Sequence, residues 1–256
     1  MKIIILAGGF GSRLGQVSDL IPKPMVEIGG KPILWHVMKI YSSYGFNEFV
    51  ICLGYKGNII KDYFYNYNNY SNDFTIDLNS GDIKYHNGHK EDWKVTLVDT
   101  GLNTLKGGRI KRIEKYLDDE INMLTYGDGV ANIDIKKLVD FHKSHEKIVT
   151  VSGVRPPSLF GEIIEKDNKV ISFEEKSQTS KGLISGGFMV FNKKMMGYLT
   201  SDEDCDFEFG PLEELTKDGE VMTYKHNGFW QCADTVRDVN YLNKLWKEDR
   251  AFWKVW

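Results

Sequence analysis

The chain has 256 residues, of which 41% are hydrophobic and 27% are charged. This composition is typical of a folded globular protein and argues against a disordered chain. The formal net charge of −3 gives no basic excess of the kind that nucleic-acid binding requires. The three cysteines are odd in number and lack CxxC spacing, which argues against disulfides and structural zinc. The apolar run at the N-terminus is too short for a signal peptide or a membrane span, so we expect a soluble, cytoplasmic protein.

The first predicted element is an unbroken apolar run at residues 3–6, which indicates a strand buried on both faces. A glycine-rich turn follows at 8–15. Predicted strands and helices then alternate as far as residue 151, a pattern typical of a doubly wound α/β sheet that is mostly parallel. The further strands of this half are predicted at 49–53, 95–98, 123–126 and 148–151, and its helices at 33–44, 59–65, 110–117 and 135–145.

After residue 151 the alternation stops, and strands follow one another with little helix between them. No repeat or linker divides the chain. We therefore predict a single α/β domain over 1–256, with one half at 1–151 and a small β-rich lobe at 152–256. The elements predicted in this lobe are strands at 162–165, 170–174 and 184–191, helices at 208–217 and 235–248, and a strand pair near 221–233.

The first candidate site is the loop at 6–14, directly after the first strand. Glycines let the backbone approach an anion and turn N–H groups towards it, and Arg13 adds donors that suit phosphate. An ordinary strand-to-helix turn is the alternative. Leu14 stands where a dinucleotide fingerprint needs its third glycine, and no Gly-Lys-Ser/Thr of a Walker A loop is present. We predict that a nucleoside triphosphate binds to Leu6, Ala7, Gly8, Gly9, Phe10, Gly11, Ser12 and Arg13.

A lysine between two prolines is the second candidate. Pro22 and Pro24 fix the backbone on either side of Lys23. A surface lysine in a proline turn is the alternative interpretation. Because Lys23 follows the glycine-rich loop so closely, we favour a rigidly placed cation that contacts a phosphate.

Two aspartates follow predicted strands. Asp128 lies between two glycines at the carboxyl end of a strand, where open α/β sheets bind their ligands. A carboxylate there is a candidate ligand of Mg²⁺, and a plain Asp-Gly turn is the alternative. Asp234 ends a short strand just before a helix, so it is either a helix N-cap or a second metal ligand. The residues alone leave these alternatives open.

Two stretches of the predicted lobe are candidates for holding an acceptor molecule. One carries Glu175 and Lys176, and the other carries Gly186 and Gly187. They could bind a hydroxylated, phosphorylated acceptor. An exposed strand end and a β-bulge explain them equally well, and the residues alone favour this second interpretation.

Taken together and in this order, these stretches resemble the sugar-1-phosphate nucleotidyltransferases. The glycine-rich loop marks the whole family. The later stretches are most similar to the branch of the family that acts on CTP and glucose 1-phosphate, and the resemblance covers nearly the full length. The similar segments are 24–36, 96–101, 125–130, 228–231, 234–235 and 237–238.

The resemblance implies a fold, a reaction and a set of roles. The fold is the Rossmann-like nucleotidyltransferase sheet, with 1–151 binding nucleotide and 152–256 binding sugar phosphate. The reaction gives CDP-glucose and pyrophosphate from CTP and glucose 1-phosphate, for dideoxysugar or surface polysaccharide synthesis. Mg²⁺ is bound by Asp128 and Asp234, and the assembly is a homo-oligomer, either a trimer or a hexamer, without nucleic acid or membrane. The implied catalytic residues are Arg13, Lys23, Asp128 and Asp234; Thr104, Arg109, Lys23 and Asp128 join the loop in binding nucleotide; and Tyr126, Glu175, Lys176, Gly187 and Trp230 face the sugar phosphate.

The chain departs from the family at two places and leaves several alternatives open. Ser177 stands where the family has a proline after Glu-Lys, and the segments 66–92 and 177–183 match poorly. The nucleotide could be dTTP or UTP, and the acceptor another phosphorylated metabolite. A catalytically inactive nucleotide sensor is a further alternative, and an NAD-binding oxidoreductase lacks the required third glycine.

Two more regions are expected to have roles outside the site. The segment 66–92 is polar and weakly periodic, so we interpret it as a long loop insertion with a functional or interface role. Trp246, Trp253 and Trp256 either cover the core or form a subunit contact. Because Trp is enriched at interfaces, we expect the contact.

Overall fold

The computed structural model describes residues 1–17, 19–86, 88, 90–156, 161–175 and 182–256. The α-helices of this part of the chain are α1 (Ile33–Ser42), α2 (Gly57–Tyr65), α3 (Tyr67–Ser71), α4 (Lys106–Arg112), α5 (Ile135–His145), α6 (Pro211–Lys217) and α7 (Val236–Lys247). Its 3₁₀-helices are Ser12–Val17, Lys23–Met25, Glu114–Tyr116 and Lys193–Tyr198. Its strands are β1 (Ile3–Leu6), β2 (Glu27–Ile28), β3 (Lys31–Pro32), β4 (Glu48–Leu53), β5 (Phe74–Ile76), β6 (Ile83–Tyr85), β7 (Lys94–Asp99), β8 (Ile121–Tyr126), β9 (Gly129–Ala131), β10 (Val149–Val154), β11 (Gly161–Lys166), β12 (Lys169–Glu175), β13 (Ile184–Asn192), β14 (Val221–His226) and β15 (Trp230–Cys232).

Seven strands form the central sheet, in the order β14-β10-β13-β8-β1-β4-β7. Neighbouring strands from β8 to β7 run parallel, and so do β10 and β14. Only β13 runs antiparallel to its neighbours in this sheet, between β8 and β10. The predicted α/β class with a mostly parallel mixed sheet is therefore confirmed.

The first strand shows why its sequence lacks alternation. Ile3 and Ile5 belong to a core cluster on one face of the sheet, which includes apolar residues of α1, α5 and α7. Ile4 and Leu6 belong to a second cluster on the other face, which includes residues of α4 and α6. Helices cover both faces of β1, so every side chain of the strand is buried, as a central parallel strand requires.

The second half of the chain completes the central sheet and does not stand apart from it. Strands β10, β13 and β14 belong to that sheet, whereas β11 and β12 form a separate antiparallel pair. The two strands predicted near 221–233 are present as β14 and β15, but they do not pair with each other, because β14 pairs with β10 and β15 pairs with β9. The division of the chain at residue 151 stays a prediction.

The segment predicted as a long loop contains regular structure. It holds the short helix α3 and an antiparallel hairpin of β5 and β6, in which every residue is exposed. Helix α4 also begins at Lys106, four residues before its predicted start. The other predicted helices and strands agree with the structure to within three residues at each end.

The C-terminal tryptophans lie against the core. Trp253 is 0% exposed and its indole Nε1 donates to His36 Nδ1 at 3.3 Å. Trp246 and Trp256 pack around the same histidine ring. Trp253 is therefore a core residue, and a subunit contact through Trp246 or Trp256 stays a prediction. No helix in the described part of the chain has the length and apolar character that crossing a bilayer requires.

Candidate active site

A cavity of about 660 Å³ lies at the carboxyl ends of β1 and β8. It brings together the predicted site residues from distant parts of the sequence. Of Glu175 the structure describes only its position as the last residue of β12, and Lys176 lies outside the described residues. The predicted residues that line the cavity are Leu6, Ala7, Gly8, Gly9, Phe10, Gly11, Ser12, Arg13, Lys23, Thr104, Arg109, Tyr126, Asp128, Gly187, Trp230 and Asp234.

Arg109 holds one wall of this cavity in place. Its guanidinium is buried and donates from Nη1 to the carbonyl oxygens of Leu53 (2.9 Å) and Gly101 (2.7 Å). Nη2 donates to Gly8 O and Leu102 O, both at 3.1 Å. A Cβ at Gly8 would lie 2.3 Å from Nη1, so only glycine fits beside the guanidinium. Arg109 thus ties the glycine-rich loop to the ends of β4 and β7, and its predicted contact with nucleotide stays a prediction.

Lys23 lies between the two predicted metal ligands. Lys23 is the first residue of the 3₁₀-helix that follows Pro22. Its side chain is 13% exposed. The ammonium is 2.5 Å from Asp128 Oδ2 and also contacts Asp234 Oδ1. Arg13 Nη1 contacts the other oxygen of Asp234 at 3.2 Å. The two carboxylates therefore face each other across one cation.

The charges of this cluster shift one another's pKa. Burial lowers the pKa of the Lys23 ammonium, but Asp128 and Asp234 outweigh burial and hold that pKa above its usual value. Burial likewise raises the pKa of Asp234, yet its contacts with Lys23 prevail and the pKa stays below its ordinary value. Burial and the two aspartates raise the pKa of the Cys232 thiol beside them to about 12. Lys23 is thus protonated, Asp234 is ionised and Cys232 is a neutral thiol at neutral pH.

A short sheet brings the two aspartates together. Strand β15 pairs with β9 so that Cys232 lies opposite Gly129, and Ala233 N donates to Asp128 O at 2.9 Å. The alternative role of Asp234 as an N-cap is wrong. Thr235 caps α7 instead, in a capping box with Asp238, so the Asp234 carboxylate is available to the cavity.

The paired aspartates fit a hard divalent ion. Carboxylate oxygens are the ligands that Mg²⁺ prefers, and in nucleotide sites it usually takes only one or two of them together with water and phosphate oxygens. Among the described residues, no group of three or more His, Cys, Asp or Glu side chains could hold a metal ion. The pair formed by Asp128 and Asp234 therefore matches a metal that shares its remaining ligands with substrate.

The lining of the cavity contains a second set of polar side chains. Tyr126 donates from its hydroxyl to Glu208 Oε1 at 2.5 Å, and Lys106 Nζ lies 2.6 Å from Glu208 Oε2. Burial raises the pKa of the Tyr126 hydroxyl, and Glu208 raises it further, so the hydroxyl keeps its proton. Sequence reasoning missed Glu208 and Lys106. Glu208 stands between Phe207 and Phe209, and nothing in this local pattern marks it as a site residue.

Gly187 lies against the ring of Tyr126. Its φ of 78° favours glycine, and a Cβ there would lie 2.6 Å from Tyr126 Cδ2. The pairing of β10 and β13 shifts register between Val151 and Gly153, opposite this stretch, which agrees with a β-bulge or another irregularity of the ladder. A contact of Gly187 with the acceptor stays a prediction. Trp230 Nε1 donates to Gly186 O at 2.8 Å and fixes the next part of the wall.

Residues 2–248 match a family model described as nucleotidyl transferase. The chain belongs to this family. It is 47% identical over 257 residues to glucose-1-phosphate cytidylyltransferase of Salmonella typhimurium, with 100% of both chains covered. It is also 30% identical over 232 residues to D-glycero-alpha-D-manno-heptose 1-phosphate guanylyltransferase of Aneurinibacillus thermoaerophilus, covering 90% of this chain and 89% of that one.

Solved structures give the same result for the fold. The crystal structure of HddC from Yersinia pseudotuberculosis matches with a TM-score of 0.69 and 26% identity, covering 96% of this chain and 99% of that one. The chain is therefore a nucleotidyltransferase in both sequence and fold. Enzymes of this family generally work with a divalent metal ion.

Proposed function

We propose that the protein transfers a cytidylyl group from CTP to α-D-glucose 1-phosphate, giving CDP-glucose and pyrophosphate. The observation that carries the proposal is the meeting of the glycine-rich loop, Lys23, Asp128 and Asp234 in one cavity, in a chain 47% identical over its full length to a glucose-1-phosphate cytidylyltransferase. We further propose that the protein works in the cytoplasm as a homo-oligomer and supplies CDP-glucose for surface polysaccharides.

The reaction is an in-line displacement at phosphorus. A phosphate oxygen of glucose 1-phosphate forms a bond to the α-phosphorus of CTP, and the bond from that phosphorus to the bridging oxygen of pyrophosphate breaks. The attacking oxygen is already an anion at neutral pH, so no general base is needed. The obstacle is repulsion between two polyanions, and catalysis is therefore positioning and charge neutralisation.

Arg13 and Lys23 supply positive charge to this reaction. The Arg13 side chain is 76% exposed, so it can turn from Asp234 towards a bound triphosphate. Asp128 and Asp234 would hold Mg²⁺, which supplies further charge neutralisation when bound. Because the Lys23 ammonium contacts both carboxylates, a metal ion held there would displace it, and the ammonium would then be available to a phosphate.

A pyrophosphate-release assay tests the proposal. The wild-type protein is assayed with CTP, dTTP, UTP and GTP, each in combination with glucose 1-phosphate, mannose 1-phosphate and galactose 1-phosphate. We expect kcat/KM to be highest for CTP with glucose 1-phosphate, by about 10²-fold over the other pairs, because a site that hydrogen-bonds specific groups rejects analogues that lack them. A higher value for another nucleotide or acceptor, or no release with any pair, would contradict it.

A further inference from the structure

Glu208 is a carboxylate inside a cavity that has to accept two polyanions. Among the described residues that line the cavity, the carboxylates are Asp128, Asp234 and Glu208. The first two form the cluster around Lys23. Glu208 lies apart from that cluster, on Tyr126 and Lys106. A negative charge repels phosphates. The part of the substrates that suits the Glu208 carboxylate is therefore one that can donate a hydrogen bond to it.

The local packing holds the backbone of the segment that carries Glu208 in a fixed position beside the cavity. The segment before Glu208 packs directly on the first turn of α4, where a Cβ at Gly107 would lie 2.6 Å from Cys205 Sγ and one at Gly108 would lie 2.3 Å from Asp202 O. Phe207, which is fully buried, anchors the same segment in the core. The backbone position of Glu208 is therefore fixed by the residues that precede it.

The contacts of Glu208 still leave it able to accept a hydrogen bond. Each oxygen of an ionised carboxylate has two acceptor positions. Oε1 uses one of them on the Tyr126 hydroxyl, whereas Oε2 is buried beside the Lys106 ammonium and makes no hydrogen bond to the described residues, so the position left for a further donor is on Oε1. The Lys106 ammonium offsets the negative charge, which lowers the repulsion that an incoming phosphate meets. The group that fits such an acceptor is a neutral hydroxyl.

We propose that Glu208 determines specificity for the acceptor by accepting a hydrogen bond from a hydroxyl of its pyranose ring. This inference rests on the proposed function. The sugar is favoured over the ribose of the nucleotide because Tyr126, which Glu208 holds, packs on Gly187 in the wall continued by Gly186 and Trp230.

The test is Glu208→Gln, with the exposed Glu213→Gln on α6 as a matched control. Because a charged hydrogen bond to the substrate is lost, we expect KM for glucose 1-phosphate to rise about tenfold or more, while KM for CTP changes by less than about threefold. The control should match the wild type. Equal changes in both KM values, a change confined to CTP, or no change would overturn the proposal, and a change confined to CTP would assign Glu208 to the ribose.

Deoxy analogues of glucose 1-phosphate, each lacking one ring hydroxyl, extend the test to the wild-type protein. We expect one analogue to raise the wild-type KM by about the same factor as Glu208→Gln, and to cause no further increase in that variant. If all analogues bind the wild type as glucose 1-phosphate does, the proposal is wrong, even where Glu208→Gln fails to fold. Failure of the proposed function is distinct, because the wild type would then show no turnover of CTP with glucose 1-phosphate.

Discussion

Lys23 and Lys106 both pair with carboxylates in the same cavity, but their surroundings differ. The Lys23 side chain is 13% exposed and contacts two aspartates closely, whereas the Lys106 side chain is 41% exposed and lies 2.6 Å from Glu208 Oε2 and 3.7 Å from Asp206 Oδ1. Two carboxylates that face one cation form a site in which a divalent ion can replace the cation, because its two positive charges balance the two negative charges. Glu208 has one close cation, which Asp206 contacts only at longer range, so no divalent ion is needed to hold this carboxylate and an uncharged hydroxyl suits it. In line with the proposals above, we attribute phosphate chemistry to the first cluster and sugar recognition to the second.

The largest effect is expected from Asp128→Asn. This change keeps the shape of the side chain and removes one of the two carboxylates, so the transition state loses part of its charge neutralisation. We expect kcat to fall by about 10³-fold or more while the melting temperature stays near that of the wild type. Steady-state pyrophosphate release measures the rate, and Asp140→Asn, an exposed aspartate on α5, is the matched control. Near-normal turnover in the folded variant would remove Asp128 from the catalytic groups.

A second prediction concerns Lys23 before nucleotide binds. Lys23→Met keeps much of the length of the side chain but removes the ammonium that competes with a metal ion for the two carboxylates. Without nucleotide, we expect Mn²⁺ to bind this variant about tenfold more tightly than the wild type. Titration calorimetry measures the affinity, and the exposed Lys136→Met is the control.

The same variant should be a poor enzyme, because the cation that meets the phosphate is lost. We expect kcat to fall by about 10²-fold, so metal affinity and activity change in opposite directions. Unchanged or weaker Mn²⁺ binding would show that Lys23 does not occupy the metal position, and the two lysines would then differ less than their contacts indicate.

Most of the fold could be predicted because its signals are local. The unbroken apolar run at 3–6 and the run that became β4 are each buried between helices on both faces, so their composition alone indicates central strands. The start of α4 was missed for a physical reason. Gly107 and Gly108 disfavour helix, but the segment from Asp202 to Cys205 can pack on that turn only because both positions lack a side chain.

Only part of the site could be predicted. The residues that were missed are brought to it by contacts between segments that are distant in the sequence. Asp128 and Asp234 follow strands, and each was recognised by that position. Their meeting depends on the pairing of β15 with β9, which the sequence suggested wrongly as a pairing within 221–233. Glu208 stands between two phenylalanines in a pattern that favours no site at all, and only the packing of its segment on α4 brings it to Tyr126.

The smallest effect is expected from Lys106→Met. This variant tests whether Lys106 only offsets the charge of Glu208 or binds substrate as Lys23 is proposed to do. Lys106 is well exposed, and an exposed ion pair contributes only about 0–1 kcal/mol. Removing it should leave Glu208 in place through Tyr126 and change KM for glucose 1-phosphate by no more than about fivefold. The assay is the one used for Glu208→Gln, again with Lys136→Met as control. If Lys106→Met raised KM as much as Glu208→Gln does, Lys106 would itself bind the sugar phosphate. Both lysines of the cavity would then bind phosphate, and Lys106 would not act only by offsetting the charge of Glu208.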